Sequence, residues 1–102
     1  MHKAKLKKAV RILTETFPKI KGICIGEDGD SIHLGDVAEG GVIDVGDPEH
    51  GSFELPGADY YNEFNATTYE NFGVHTRLHE KLTELGLFAE WHDPGTLFAY
   101  GV

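Results

Sequence analysis

The stretch ICIGEDGDSIHL, residues 23–34, decides the fold that the sequence predicts. Two apolar runs flank Asp28-Gly29, a dipeptide that favours a two-residue turn because both central residues of a type I′ turn need positive φ. A turn at that place pairs Cys24 with His33 on one face and gathers the aliphatic residues on the other. A three-residue loop would mix the two faces. We therefore predict an antiparallel hairpin with a two-residue loop.

One helix is predicted before this hairpin and a second in the last third of the chain, because apolar residues recur there at helical spacing. Pro18 ends the first helix. Gly86 stands where the C′ glycine of a helix over 74–85 belongs. The apolar positions are Leu6, Ala9, Val10, Leu13 and Phe17 in the first helix, and Val74, Leu78, Leu82 and Leu85 in the second.

Another hairpin is predicted at the end of the sequence, where LFAEWH and LFAYGV flank the turn DPGT. A two-residue or a four-residue loop gives the same pairs: His92 with Leu97, Trp91 with Phe98, and Ala89 with Tyr100. The outer face of the sheet would then carry a half-apolar set: Cys24, His33, Phe88, Glu90, His92, Leu97 and Ala99. Such a cluster is too apolar to face water, so we expect a cover. The candidates are residues 35–73, a second copy of the chain, or a ligand, and we favour the first two.

The middle of the chain, residues 35–73, has the least regular pattern. Two short β-like runs, 42–45 and 52–55, predict a weaker hairpin. Asp59 is placed to cap a short helix over YYNEF, and NATTYENFG has the composition of a loop. The sequence thus predicts one α+β domain over residues 1–102. It is a two-layer sandwich with an antiparallel sheet of four to six strands and two main helices on one face, in the order α-β-β-[β-β]-α-β-β.

Charged residues are segregated along the chain, whose net charge is −8. Seven of the nine Lys and Arg lie in the first 21 residues, whereas residues 22–76 hold none and carry 12 of the 17 acids. The acidic balance argues against nucleic acid as a partner, and no apolar run approaches the ~20 residues of a membrane span. The single cysteine, Cys24, excludes an internal disulfide. A single cysteine, together with the lack of a recognisable secretory signal, predicts a cytoplasmic location.

The segment HTRLHE, residues 75–80, contains the only histidine pair at helical spacing. On a helix, His75 and His79 would lie one turn apart, as paired metal ligands do. A metal site needs three or four ligands, and the sequence has no third potential ligand at a spacing typical of metal-binding motifs. We therefore predict no metal and no cofactor, and interpret the pair as residues at the boundary of the core. As alternatives, they are candidates for a metal site or for part of a ligand pocket.

A polar cleft is the alternative that would suit a small enzyme or a small-molecule binder. Cys24 and His33 form a predicted cross-strand pair that could supply an activated thiolate. Glu90 and His92 could add a general acid–base pair. The sequence identifies neither an oxyanion hole nor a group to orient the imidazole, so these four residues are weak catalytic candidates and we favour a non-enzymatic protein.

Aromatic residues lie among acidic and amide residues in the segment 59–79, and they are the basis of the leading functional prediction. Rings among carboxylates suit a cationic ligand or a protein interface. We predict a homodimeric binding or accessory protein that uses this segment as its interaction or ligand surface. A further alternative is an acidic mimic of nucleic acid, which the lysine-rich first helix disfavours. The predicted ligand-binding residues are Tyr60, Tyr61, Phe64, Tyr69, Phe72, His75 and His79.

Overall fold

The computed structural model describes residues 3–47, 51–61, 69–70 and 73–101, with the backbone alone for 45–47, 51–53 and 70. The predicted α+β class, with an antiparallel sheet and two helices, is confirmed. Within these ranges no helix is long and apolar enough to cross a membrane. The elements are α1 (Lys3–Thr16), β1 (Ile23–Ile25), β2 (Ser31–Leu34), β3 (Val42–Asp47), β4 (Gly51–Pro56), β5 (Tyr69–Glu70), β6 (Val74–His75), α2 (Thr76–Glu84), β7 (Leu87–Asp93) and β8 (Thr96–Gly101).

Four strands form the main sheet in the order β1-β2-β8-β7. The predicted register of the first hairpin is confirmed, with Cys24 opposite His33. The predicted two-residue loop is wrong, because the Gly26 N–H donates to the Ser31 carbonyl at 2.8 Å and closes a loop over residues 27–30. The Asp28 carboxylate stabilises this loop by accepting hydrogen bonds from the Ser31 N–H at 3.1 Å and hydroxyl at 2.8 Å.

The last hairpin differs from the prediction by one residue, since a β-bulge lies between Trp91 and Asp93. Trp91 pairs with Leu97 rather than with Phe98. A shift of one residue exchanges the two faces of a strand. Leu97 and Ala99, predicted on the outer face, are therefore both 0% exposed in the core. Phe98 and Tyr100, predicted on the core side, lie outward with Phe88 and Glu90.

One hydrophobic core joins both helices to the sheet. The helix α1 packs on β1 and β2, and α2 packs on β7. Part of the middle segment also belongs to this core through Val37, Ile43 and Ala58, so these three residues pack there and not across the outer face of the sheet. The fully buried side chains include Leu6, Leu13, Ile32, Leu34, Leu78, Leu82, Leu87 and Leu97.

The predicted middle hairpin is confirmed as a separate two-stranded ribbon of β3 and β4. Its register places Asp44 directly opposite Glu54, which is an unfavourable like-charge pair. Lys19 bridges the two carboxylates, with Nζ 2.9 Å from Asp44 and 3.4 Å from Glu54. The hydrogen bond to Asp44, and then that to Glu54, raise the pKa of Lys19 against the opposing effect of desolvation.

Two short elements before α2 were not predicted. Tyr69–Glu70, expected in a loop, forms β5 and pairs with β6, which contains His75. The second helix therefore begins at Thr76, two residues later than predicted. It ends before Gly86, whose φ of 73° confirms the expected C′ glycine.

Candidate functional site

His75 does not lie on the helix with His79 but immediately before it, as the N-cap residue of α2. Its Nδ1 accepts a hydrogen bond from the Arg77 N–H at 3.0 Å, which satisfies one of the unpaired donors at the start of the helix. The side chain is buried, and its ring meets Tyr69 edge-on with 5.4 Å between centroids. His79 lies one turn into α2 and is half-buried.

The cap determines the chemistry that His75 can perform. Burial, and then the charge of Arg77, lower the pKa of His75, so the ring is neutral with its proton on Nε2. A metal would need a lone pair on Nε2, and that tautomer would remove the acceptor from the cap. Among the described residues no group of three or more His, Cys, Asp or Glu is arranged to hold a metal ion.

The outward face of the sheet carries three of the four catalytic candidates in one row. Cys24 pairs with His33, and Phe98 pairs with both His33 and Glu90. The row therefore runs thiol, imidazole, phenyl, carboxylate across the four strands. At the usual strand spacing, the Cα atoms of His33 and Glu90 are about 10 Å apart. Because Phe98 lies between them, Glu90 is not placed to orient the His33 imidazole.

His33 has the same kind of backbone hydrogen bond as His75. Its Nδ1 accepts from the Gly35 N–H at 3.0 Å, so the neutral ring carries its proton on Nε2. Gly35 has a φ of 61°, and a Cβ there would collide with the Lys21 carbonyl. A general base for the Cys24 thiol needs a lone pair directed at sulfur, and His33 offers none in this tautomer.

A depression of about 610 Å³ lies over one half of this face. Cys24, His33 and His92 all line it, whereas Glu90 lies at the far end of the row. Both imidazoles flank the Phe98 ring, with centroid distances of 5.0 Å for His33 and 5.6 Å for His92. The depression is thus lined by rings with polar edges, an arrangement that suits binding better than proton transfer.

The predicted aromatic segment separates into exposed and structural residues. Tyr60 and Tyr61 are 42% and 75% exposed, and their rings meet edge-on at 5.3 Å. Tyr60 also meets Trp91 edge-on at 5.3 Å. The Asp59 carboxylate accepts from the Tyr61 N–H at 3.1 Å, so a negative charge lies beside the rings. We call Asp59, Tyr60, Tyr61 and Trp91 the ring cluster.

Tyr69, in contrast, belongs to the structural framework. It is 6% exposed, and its hydroxyl donates to the Pro56 carbonyl at 3.0 Å. Burial, and then the charge of Asp59, raise the pKa of Tyr69. The other two predicted ring positions, Phe64 and Phe72, lie outside the described residues.

Trp91 is the member of the ring cluster that the sequence did not single out, because the predicted register assigned it only to the core face. A bulky aromatic residue near the end of an edge strand, next to a predicted turn, was the available signal. It indicates a ring only partly covered by the core. Trp91 is indeed half-buried. No protein-family model, curated protein or solved structure matches the chain.

Proposed function

We propose that this protein is a non-enzymatic binding protein that recognises a positively charged segment of another protein through the ring cluster. The observation that carries the proposal is the exposed pair Tyr60 and Tyr61. The Tyr60 ring contacts Trp91, and the Asp59 carboxylate accepts a hydrogen bond from the Tyr61 N–H. Rings next to an acid attract guanidinium and ammonium groups through cation–π contact and charge. A cytoplasmic location remains a prediction within this proposal.

The distribution of charge supports a cationic partner. Residues 22–76 contain no Lys or Arg and 12 acidic residues, and the ring cluster begins inside that span at Asp59. A Lys- or Arg-rich segment approaching this surface would meet no lysine or arginine from that part of the chain. The basic residues are concentrated instead on α1, where Lys5, Lys8 and Arg11 are exposed.

Three alternatives receive less support. An enzyme that uses Cys24 needs a base, and His33 directs no lone pair to the sulfur in its present tautomer. A nucleic-acid mimic needs an acidic surface throughout, which the exposed lysines of α1 interrupt. A pocket for a small molecule over the outward face of the sheet would be lined by Cys24, His33 and Phe98 of the row, but Glu90, the row's one carboxylate, does not contribute.

Calorimetric titration with a peptide of alternating Arg and Gly residues tests the proposal. We expect weak binding, with a Kd on the order of 0.1 mM, that weakens further as salt is added. The variant Tyr61→Ala should bind about fivefold more weakly, since one exposed cation–π contact contributes about 1 kcal/mol. Phe88→Ala is the matched control, because it removes an exposed ring on the other side of the sheet and should not change the affinity.

Two results would contradict the proposal. If the Arg-Gly peptide releases no more heat than a Glu-Gly peptide of the same length, the ring cluster does not select cations and the proposal fails. Equal losses of affinity in Tyr61→Ala and Phe88→Ala would also count against it, because they would place the binding elsewhere.

A further inference from the structure

The outward face of the sheet carries a connected set of aromatic rings, separate from the ring cluster. Phe88 meets Tyr100 with 5.9 Å between centroids, and Tyr100 meets Phe98 at 6.3 Å. Phe88 is 42% exposed and Cys24 is exposed on the edge strand β1. The helices pack against the opposite side of the sheet, so the described residues leave this face open. Phe98 and Tyr100 are half-buried, so the three rings form one contiguous apolar patch that reaches the surface at Phe88. A patch of this kind marks an interaction surface.

The polar groups of the same face are arranged in an order that a second copy can complement. The row begins at Cys24 and His33 and ends at Glu90. His33 carries its ring proton on Nε2, and the structure assigns that N–H no acceptor within the described ranges. One end of the row thus offers a hydrogen-bond donor and the other a carboxylate acceptor.

A two-fold axis parallel to the strands reverses the order of the row. When two such faces pack together, Glu90 of one copy lies over Cys24 of the other, next to the His33 donor. The same operation places Phe98 over the His33 ring, and it brings the remaining rings between the sheets. Self-complementarity of this kind defines the isologous interface of a C2 dimer, and face-to-face packing of sheets supplies the geometry.

We propose that the outward face of the sheet binds a second copy of this chain in a two-fold, face-to-face dimer with the row reversed. This proposal goes beyond the binding of a cationic segment and uses different residues. The face is four strands wide and six or seven residues long in β8 and β7. It offers about 400 Å² of flat area per copy, or half the ~800 Å² of a standard interface. The dimer is therefore weak and forms at high micromolar concentration.

Sedimentation of the full chain, from low micromolar to near-millimolar concentration, tests this. We expect a shift from monomer to dimer in the wild type and at least a tenfold weaker association for Phe88→Glu. Tyr61→Glu is the matched control, since it places the same charge on an exposed ring of the ring cluster and should dimerise normally. A protein that stays monomeric near millimolar concentration, or equal association of the two variants, overturns the proposal.

Two further measurements keep the test valid if Phe88→Glu folds poorly. Glu90→Lys changes only an exposed charge, and it should weaken the dimer about as much as Phe88→Glu because it removes the acceptor for His33. In the wild type, alkylation of Cys24 by a maleimide should slow severalfold as the protein concentration rises. An alkylation rate that does not depend on concentration contradicts burial of this face. Because neither measurement involves Tyr60 or Tyr61, the dimer can fail while cation binding stands, and the reverse.

Discussion

Substitution of His75 separates the capping role of its ring from its packing role. His75→Ala removes both, because the lost N-cap costs about 1 kcal/mol and the space left by a buried ring adds about 2 kcal/mol. We therefore expect the free energy of unfolding to fall by about 3 kcal/mol, or roughly 15 °C in Tm. His75→Asn keeps an acceptor at the N-cap and loses only packing, at about 2 kcal/mol. The difference of about 1 kcal/mol between the variants near neutral pH measures the cap.

The pH dependence of this stabilisation follows from the lowered pKa of His75. Burial and Arg77 hold the pKa of the folded state below the ordinary value of 6.5. When the pH falls below about 6.5, the unfolded chain binds a proton that the folded chain does not bind. The stability then decreases as the pH falls, by at most ~1.4 kcal/mol per pH unit. At higher pH the contribution of the neutral ring is fully present.

Urea unfolding followed by the fluorescence of Trp91, the only tryptophan, measures both effects. All other titratable groups are shared by the wild type and His75→Asn, so the difference between them reports on His75 alone. We expect the advantage of the wild type to shrink as the pH is lowered from about 8 to about 5.5. A constant advantage over that range would refute the pKa argument, and equal stability of the Asn and Ala variants would refute the cap.

Two other predictions concern the framework. Tyr69→Phe should lower the free energy of unfolding by about 1 kcal/mol through its lost hydrogen bond. It should also remove, from an ultraviolet titration, a tyrosine phase above the ordinary pKa of 10.0; an unchanged titration curve would contradict this. Lys19→Gln should leave Asp44 opposed to Glu54 and speed hydrogen exchange of the β3–β4 amides, most strongly at low salt. Lys5→Gln, at an exposed position on α1, is the control, and equal effects of both variants would exclude the bridge.

Strong periodicity made part of this fold predictable. The apolar stripe and Pro18 together predicted the first helix, and α1 ends at Thr16, two residues before that proline. The register of the first hairpin was also predictable, because a slip of one residue would have exposed Ile32 and Leu34. The loop itself was not, since Asp28 accepts hydrogen bonds from the Asp30 and Ser31 N–H groups and so favours a longer turn.

The predicted register of the last hairpin was wrong, although the sequence contains a side-chain pattern that favours the observed register. A bulge near His92 shifts the pairing, and a turn motif alone does not reveal a bulge. The distribution of side chains would have favoured the observed register. It places Ala89 beside Leu97 and Ala99, whose small and branched side chains fit under helices, and it leaves Phe88, Phe98 and Tyr100 outside.

The candidate site was only partly predictable, because histidine can serve as a local hydrogen-bond acceptor. His33 and His75 each bind the N–H two residues later, as Asp59 does for Tyr61. Residue type and helical spacing suggested metal or base chemistry, whereas the local backbone takes up the lone pair that this chemistry requires. The sequence singled out Tyr60 as a ligand-binding candidate, but its contact with Trp91 depends on the packing of distant segments, which residue spacing does not encode.

The fluorescence of Trp91 tests the central claim most directly, because the emitting ring is itself part of the ring cluster. Titration with the Arg-Gly peptide should change the emission in a saturable manner, with the midpoint seen by calorimetry and a weaker response in Tyr61→Ala. The Glu-Gly peptide should leave the emission unchanged. If both peptides give the same spectrum as buffer at concentrations where the calorimeter records binding, the cationic segment binds elsewhere and the proposed recognition surface is wrong.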